Sequence, residues 1–410
     1  MSTTATPVTA PPTRKASRLA GIDATRGLAI LGMMAVHSLN EYDDAGDPTW
    51  MYSLSAGRAA AIFAVLAGVS IAFISKRRRQ HRGPEATGIS ASLAARAVVI
   101  GLIGLFLGYT EIEFGVVILT YYAVMFLLAI PLIYLSTRTL VVLTVAAGLL
   151  LPAASQLLRP VLPEFLDGQL SFSHLVHDPL GVLATLVFTG EFPALVWMTY
   201  VGAGLVVGRL TLSSLRVAAS LFGTGLALML GSAVVSWALL NPFGGLDRID
   251  ATTDDAVITE LLLFGGDGTV PTTTWWWLGV NGPHTGTPFD LMATIGSSLA
   301  VLGVALLLGH VTQRYLAIAV RVLFVPLTAI GSMSLTAYVG HIAFINSDFD
   351  VYGPWSGYLR QVVVMILLAI VWRATAGRGP LEGLVTAVTT RAQRRARDWA
   401  RHRTATSLDA

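Results

Sequence analysis

Cysteine is missing from all 410 residues, which excludes disulfides, thiolate catalysis and cysteine-ligated metals. Charge is scarce. Only 12% of the chain is Asp, Glu, Lys or Arg, about half the share found in soluble domains. No cleavable signal peptide is expected, because the first apolar run leads into acidic residues rather than a small-residue cleavage site. The glycine-rich stretches lack a P-loop or dinucleotide-fold context, so nucleotide-triphosphate chemistry is not expected and nothing points to a nucleic-acid partner. His174, His177 and Asp178 match no strong ligand spacing, so no metal is expected. No internal repeat is visible, which weakens a transporter reading.

What the chain does have is apolar length. Its mean hydropathy is +0.67, and 54% of its residues are hydrophobic. Runs long enough to cross a bilayer lie near 22–39, 56–75, 93–110, 115–135, 139–157, 191–208, 214–240, 288–309, 322–345 and 356–373. The expected fold is an all-α polytopic membrane protein of about ten transmembrane helices. The stretch 179–190 reads as an interfacial or re-entrant piece. With both termini cytoplasmic, 22 of the 27 basic residues fall on the cytoplasmic side and 19 of the 24 acidic residues, from Glu41 to Asp350, fall in or beside external loops. Inverting the chain would reverse both biases.

Three regions follow. Residues 1–20 form a cytoplasmic tail whose Ser/Thr/Pro-rich start reads as disordered. Residues 21–375 form the transmembrane domain. Residues 376–410 form a basic amphipathic tail, read either as an in-plane helix on anionic lipid or as an aid in attracting a phosphate-bearing cosubstrate. The external loop 241–287 is long enough to be functional or disordered, and its tryptophans, glycines and prolines favour an ordered cap near the membrane.

Ionisable groups inside apolar helices are costly and need explaining. Arg26 and His37 share the first helix, eleven residues apart. At about 100° per residue this is roughly three turns, so both leave one face about 16 Å apart along the axis. Asp23 can cap that helix or pair with Arg26. Arg26 can be a snorkelling anchor or a ligand contact, and His37 a packed histidine, a general base or a transient nucleophile. Ser334, Tyr338 and His341 follow at i, i+4 and i+7, again one face, where they could join helices or line a site. Gly331 and Gly340 permit close helix approach. His284 reads as an exposed loop histidine. Trp275 and Trp276, with Trp277, read as an interfacial belt or a sugar-stacking platform.

Ile22-Asp-Ala-Thr-Arg26-Gly-Leu-Ala, with His37 eleven residues on, resembles the opening helix of the transmembrane acyltransferase superfamily. That superfamily includes the acyltransferase family 3 proteins and the heparan-α-glucosaminide N-acetyltransferases. Gly57-Arg58 with the run from Ile62 to Ser70 is similar to their second helix. The segments Ile118 to Tyr122, Gly202 to Arg209, Pro283 to Asp290, Gly331 to Tyr338 and Gly379 to Glu382 resemble bacterial membrane proteins of the second group. The resemblance spans most of residues 20–385, and the order of its motifs is the specific signal.

The resemblance implies an acyltransferase of the bacterial inner membrane. It would move an acyl group, acetyl in the named group, from cytoplasmic acyl-CoA to a cell-envelope glycan or glycolipid at the outer face. It implies His37 and His341 as catalytic residues, with Tyr338 and Ser334 beside them, and Arg26 and Arg58 on the acyl-CoA. His284, Trp275 and Trp276 would contact the acceptor. Leu335 stands where acyltransferase family 3 has a tyrosine, and His37 where the lysosomal acetyltransferases have asparagine. Lipids are the expected surroundings, and a homo-oligomer is compatible with the sequence. A secondary transporter or lipid/glycan flippase is the rival reading, since intramembrane Arg and His also mark transport pathways.

Overall fold

The computed structural model describes residues 14–112, 115–162 and 168–406. The expected disordered start, residues 1–13, lies outside the described residues. Seventeen α-helices occur among the described residues, with no strand. They are α1 (Arg14–Ser38), α2 (Trp50–Ser55), α3 (Arg58–Ile74), α4 (Pro84–Leu107), α5 (Leu119–Leu128) and α6 (Thr137–Leu158). Next come α7 (Phe172–His177), α8 (Pro179–Ala184), α9 (Ala194–Arg209), α10 (Leu215–Leu240), α11 (Gly245–Asp250) and α12 (Asp255–Leu263). The last are α13 (Pro288–Leu308), α14 (Arg314–Gly331), α15 (Ser334–Ile345), α16 (Pro354–Thr375) and α17 (Pro380–Thr406).

Among the described residues, seven helical segments are long and apolar enough to cross a membrane: α2 with α3, α4, α6, α10, α13, α14 and α16. An eighth is a broken span, in which Pro179–Thr189 and Ala194–Arg209 meet at 50°. Pro193 caps the second half of that span, and proline cannot donate the backbone bond a continuous helix needs. The run expected over 115–135 is only ten helical residues in α5, followed by a 3₁₀ turn over Pro131–Tyr134.

The single helix expected over 322–345 is two helices. The chain breaks at Ser332 and Met333 because both flanks have better partners than a continuous helix would give them. Gly331 lies against the Asp23 carbonyl of α1, where a Cβ would collide with it. On the other flank, the Glu382 carboxylate accepts from the Leu335 and Thr336 amides at 2.8 and 3.2 Å. Those amides are among the orphan donors of a helix start, and a carboxylate there both caps them and complements the dipole.

The core joins α1, α3, α4, α5, α9 and α15. The α3–α9 crossing brings backbone onto backbone: a Cβ on Gly204 would enter the Val65 carbonyl, and one on Gly68 the Val201 carbonyl. Small residues permit such approach where no hydrophobic effect drives helices together. The basic tail packs on the bundle as α17, along α4. Gly88 meets Gln393 and Arg397 there, and Val385 and Thr389 are buried. Its outward face carries exposed Arg391, Arg394, Arg395 and Arg403.

Segment 241–287 is an ordered cap. Trp277 is fully buried among Leu240, Ile249, Ile258, Val270 and Val280, with its indole N–H on Thr273 at 3.2 Å. His174 belongs to the capping box that starts α7.

Candidate active site

Two cavities of about 380 and 390 Å³ lie on one face of α1. Arg26, Ile30 and Met33 line the first. Met33, Val36 and His37 line the second. The stripe Arg26, Ile30, Met33, His37 steps by four, three and four residues, the spacing that keeps one helical face. Met33 and Ile118 belong to both walls and are both buried. They form the septum between the two chambers.

The Arg26 chamber is mostly apolar, with Arg26, Arg96, Glu382 and several hydroxyls in its wall. Arg26 reaches Asp23 at 3.0 Å and the Ser70 hydroxyl at 2.6 Å. Arg96 faces the same space, with its guanidinium 5.7 Å from the Phe126 ring centroid and its Nε buried without a partner. Two cations line the chamber, and the carboxylates beside them are already committed, Asp23 to Arg26 and Glu382 to the start of α15. Arginine donors that those carboxylates leave unused are the kind that phosphate engages. The loop Lys76 to Arg82 continues the positive charge beyond Ile74 of the same wall.

Ser334 and Tyr338 of α15 also line this chamber. The Tyr122 hydroxyl is buried with no hydrogen-bond partner. That of Tyr338 is buried beside the Ile118 backbone without a well-formed bond. Buried hydroxyls normally find partners. Two left over at the septum can donate to an oxygen arriving there.

The His37 chamber is histidine- and carboxylate-lined. His37 Nδ1 lies 3.2 Å from Nε2 of buried His341, whose Nδ1 lies 2.7 Å from Gln361 Oε1. The two imidazoles are parallel within 2°, centroids 5.4 Å apart. The other edge of the His37 ring faces Gly115, where a Cβ would lie 2.7 Å from Nε2. Gly115 has φ +107°, a region that suits glycine. Glycine there serves both the turn and the room for His37.

His284 is not an exposed loop residue. Its backbone turns through φ +54°, and its ring lies against Phe192 and Trp197 at 5.5 and 6.3 Å. It lines the chamber with His37, its Nδ1 buried and unpartnered. Left-handed backbone at a non-glycine residue is costly and collects at functional sites. Glu41, Glu191, Glu260 and Asp267 complete the wall. At the mouth, partial burial and then the Asp267 and Glu260 carboxylates hold the Glu41 carboxyl above its ordinary range.

The structure therefore brings Arg26, Ser334 and Tyr338 to one chamber and His37 and His284 to the other, with His341 bonded behind His37. It does not bring in Arg58, Trp275 or Trp276. Arg58 starts α3, about 18 Å along the axis from Ser70, and donates to the Ser53 carbonyl. Its side chain is at the wrong end of α3 to meet a ligand of Arg26. Trp275 is exposed to solvent or lipid, and Trp276 sits under the Arg248 guanidinium at 4.8 Å; both belong to the cap, because burial of Trp277 orients the triplet away from the chambers. Sequence reasoning passed over Arg96, Glu191 and Gln361. Arg96 lies twelve residues inside apolar α4, and that position is its signal in the sequence.

Among the described residues, no group of three or more His, Asp or Glu has the arrangement to hold a metal. No curated protein matches the chain. The family described as heparan-alpha-glucosaminide N-acetyltransferase, catalytic, matches residues 18–235, which include Arg26, His37, Ser70, Arg96 and Glu191, while His284, Ser334, Tyr338 and His341 lie beyond the match. The chain is thus a multi-pass membrane protein that belongs to the heparan-alpha-glucosaminide N-acetyltransferase catalytic family, a family of acetyltransferases.

Proposed function

We propose that the protein transfers an acetyl group from acyl-CoA, held at the Arg26 chamber, to an amine or hydroxyl of a cell-envelope glycan or glycolipid in the His37 chamber. The carrying observation is that Arg26 and His37 line separate chambers that meet at Met33 and Ile118. A donor and an acceptor can then approach from opposite ends and react at one septum.

In this reading Arg26, Arg96 and the Lys76–Arg82 loop bind the CoA phosphates. Tyr338 and Tyr122 donate hydrogen bonds to the thioester carbonyl oxygen as it gains negative charge. Ser334, at the start of α15, lines the path of the arm. His37 takes a proton from the acceptor while the acceptor nitrogen or oxygen bonds to the carbonyl carbon. The carbon–sulfur bond breaks, and the thiolate leaves with the proton returned through His37. The carboxylates and His284 hold sugar hydroxyls or an ammonium group. The charge bias supports cytoplasmic termini, which puts Arg26 inside and the acceptor outside, in the inner membrane of a bacterium.

The test is incubation of purified protein with radiolabelled acetyl-CoA and a cell-envelope extract. Label should pass to an extract component with wild-type protein and not with His37→Ala. Absence of transfer by the wild type overturns the reading. One observation favours the transport rival: the 50° broken span with Glu191 at its break, a feature of discontinuous transporter helices. Movement of an envelope glycan across proteoliposomes without acyl transfer would establish that rival.

A further inference from the structure

We propose that Gln361 is a positioning residue that sets the tautomer of His37 through His341. The proposal rests on the acetyl-transfer reading for its catalytic consequence, but its structural part stands alone.

The argument is one of donors and acceptors. Gln361 Oε1 is an acceptor only, so the His341 Nδ1 it meets at 2.7 Å carries the proton. A neutral imidazole has one N–H, so His341 Nε2 is left as a lone pair. His37 Nδ1, 3.2 Å away, must then donate. That leaves the lone pair of His37 on Nε2, the atom facing Gly115 and the chamber. The three groups come from three elements, α16, α15 and α1. His341 and Gln361 are 1% and 7% exposed, so water does not compete for the bonds. Reversing the amide would reverse every proton in the chain and put N–H, not a lone pair, on His37 Nε2. The buried Gln361 amide nitrogen has no partner. A packing glutamine whose only role was to join helices would be expected to use both of its amide groups. This one uses only the oxygen, on a histidine.

Histidine orientation by a third group is how a general base is kept ready. A base that must take a proton from an acceptor needs its lone pair on the chamber side before the acceptor arrives. The titratable groups around His37 come from every neighbouring element. They are Glu41 beyond α1, Tyr52 of α2, Glu191 before α9, Glu260 of α12, and Asp267 and His284 of the following segment. Tyr358 of α16 is committed to the Leu31 carbonyl. Among the described residues none of these bonds His37 Nδ1, and the groups that set its tautomer there are His341 and Gln361.

Two variants separate the possibilities. In Gln361→Leu the acceptor is gone; kcat should fall at least about tenfold while KM for acetyl-CoA stays near wild type. In Gln361→Glu the acceptor is kept and becomes anionic. Turnover should persist, and the acid limb of the pH–kcat profile should move to higher pH, because a carboxylate favours the protonated histidine pair. Gln361→Glu as inactive as Gln361→Leu would show that the amide donates, and would overturn the proposal. So would Gln361→Leu with unchanged kcat and pH profile. A readout independent of activity is the ¹⁵N spectrum of histidine-labelled protein, with the His37 signals identified by their loss in His37→Gln. Wild type should show His37 protonated on Nδ1, and Gln361→Leu a shift toward Nε2 protonation. An unchanged His37 signature in Gln361→Leu removes the relay even if acetyl transfer is confirmed. A wild type that shows the expected signature but transfers nothing sinks the reaction and leaves the relay standing.

Discussion

At the scale of residues, the site depends on charges held where charge is expensive. Arg26 stands in a mostly apolar chamber where Asp23 and Ser70 bond it, and its remaining donors face the space where phosphate is proposed to bind. Arg26→Ala should weaken acetyl-CoA binding about 10–100-fold, the size of a charge-assisted contact, measured by calorimetry in detergent. Arg26→Lys should recover part of this, since an ammonium lacks the planar fork. Unchanged affinity in Arg26→Ala would move the phosphate site to Arg96. His37→Ala should do the reverse: kcat falls about 10²–10⁴-fold and acetyl-CoA binding is retained. A folded His37→Ala with normal transfer would leave His284 as the candidate base.

Glu41 gives a pH test at the same scale. Its carboxyl is held above the ordinary range by partial burial, then by Asp267 and Glu260. A carboxylate whose folded pKa is raised lends stability below its unfolded pKa, and this is lost as pH rises through the folded pKa. Glu41→Gln should therefore melt higher than wild type at pH 7, and the difference should vanish near pH 4. A difference that persists at pH 4 would show that packing, not charge, is responsible.

At the scale of elements, the α3–α9 crossing is the tightest constraint on the chamber walls, since α3 carries Ser70 and α9 follows the break at Glu191. Gly204→Val would push a side chain into the Val65 carbonyl and should destabilise by at least about 1–3 kcal/mol, the cost of overpacking. Gly223 of α10 meets nothing within 4 Å. Gly223→Ala should be neutral or stabilising by up to about 1 kcal/mol. Thermal melts of the two variants in one detergent check the contrast, and equal melting temperatures would mean the crossing relaxes easily. The break between α14 and α15 belongs here too. Glu382 from α17 holds the start of α15, so the basic helix is tied to the element that carries Ser334, Tyr338 and His341.

At the scale of the whole molecule, charge separates along the axis of the bundle. Arg26, Arg96, the Lys76–Arg82 loop and α17 lie at one end, and Glu41, Glu191, Glu260 and Asp267 at the other. The positive-inside bias is the ground for the orientation proposed for this axis. Single cysteines at Asp44 and Asp254, placed in a chain with none of its own, should react with an impermeant maleimide in intact cells, while tags at both termini stay protected. Protected cysteines with accessible termini would reverse the direction proposed for transfer.

Composition alone made the chain a multi-pass helical membrane protein, because apolar length and charge asymmetry are local properties read one segment at a time. Spacing alone put Arg26 and His37 on one face, because helical periodicity is rigid over eleven residues. The family was legible in the order of short motifs. What needed the folded chain was everything set by contacts between distant segments. His284 looked exposed until its loop folded under Phe192 and Trp197. Arg58 and the Trp275–Trp276 pair looked like ligand contacts until the axis of α3 and the burial of Trp277 turned them elsewhere. The division of 322–345 into α14 and α15 depended on Glu382, 47 residues from the Leu335 amide it captures at the start of α15. The partners of His37 are 304 and then 20 residues further along. No periodicity links them, because a hydrogen bond across three helices is decided by how those helices pack.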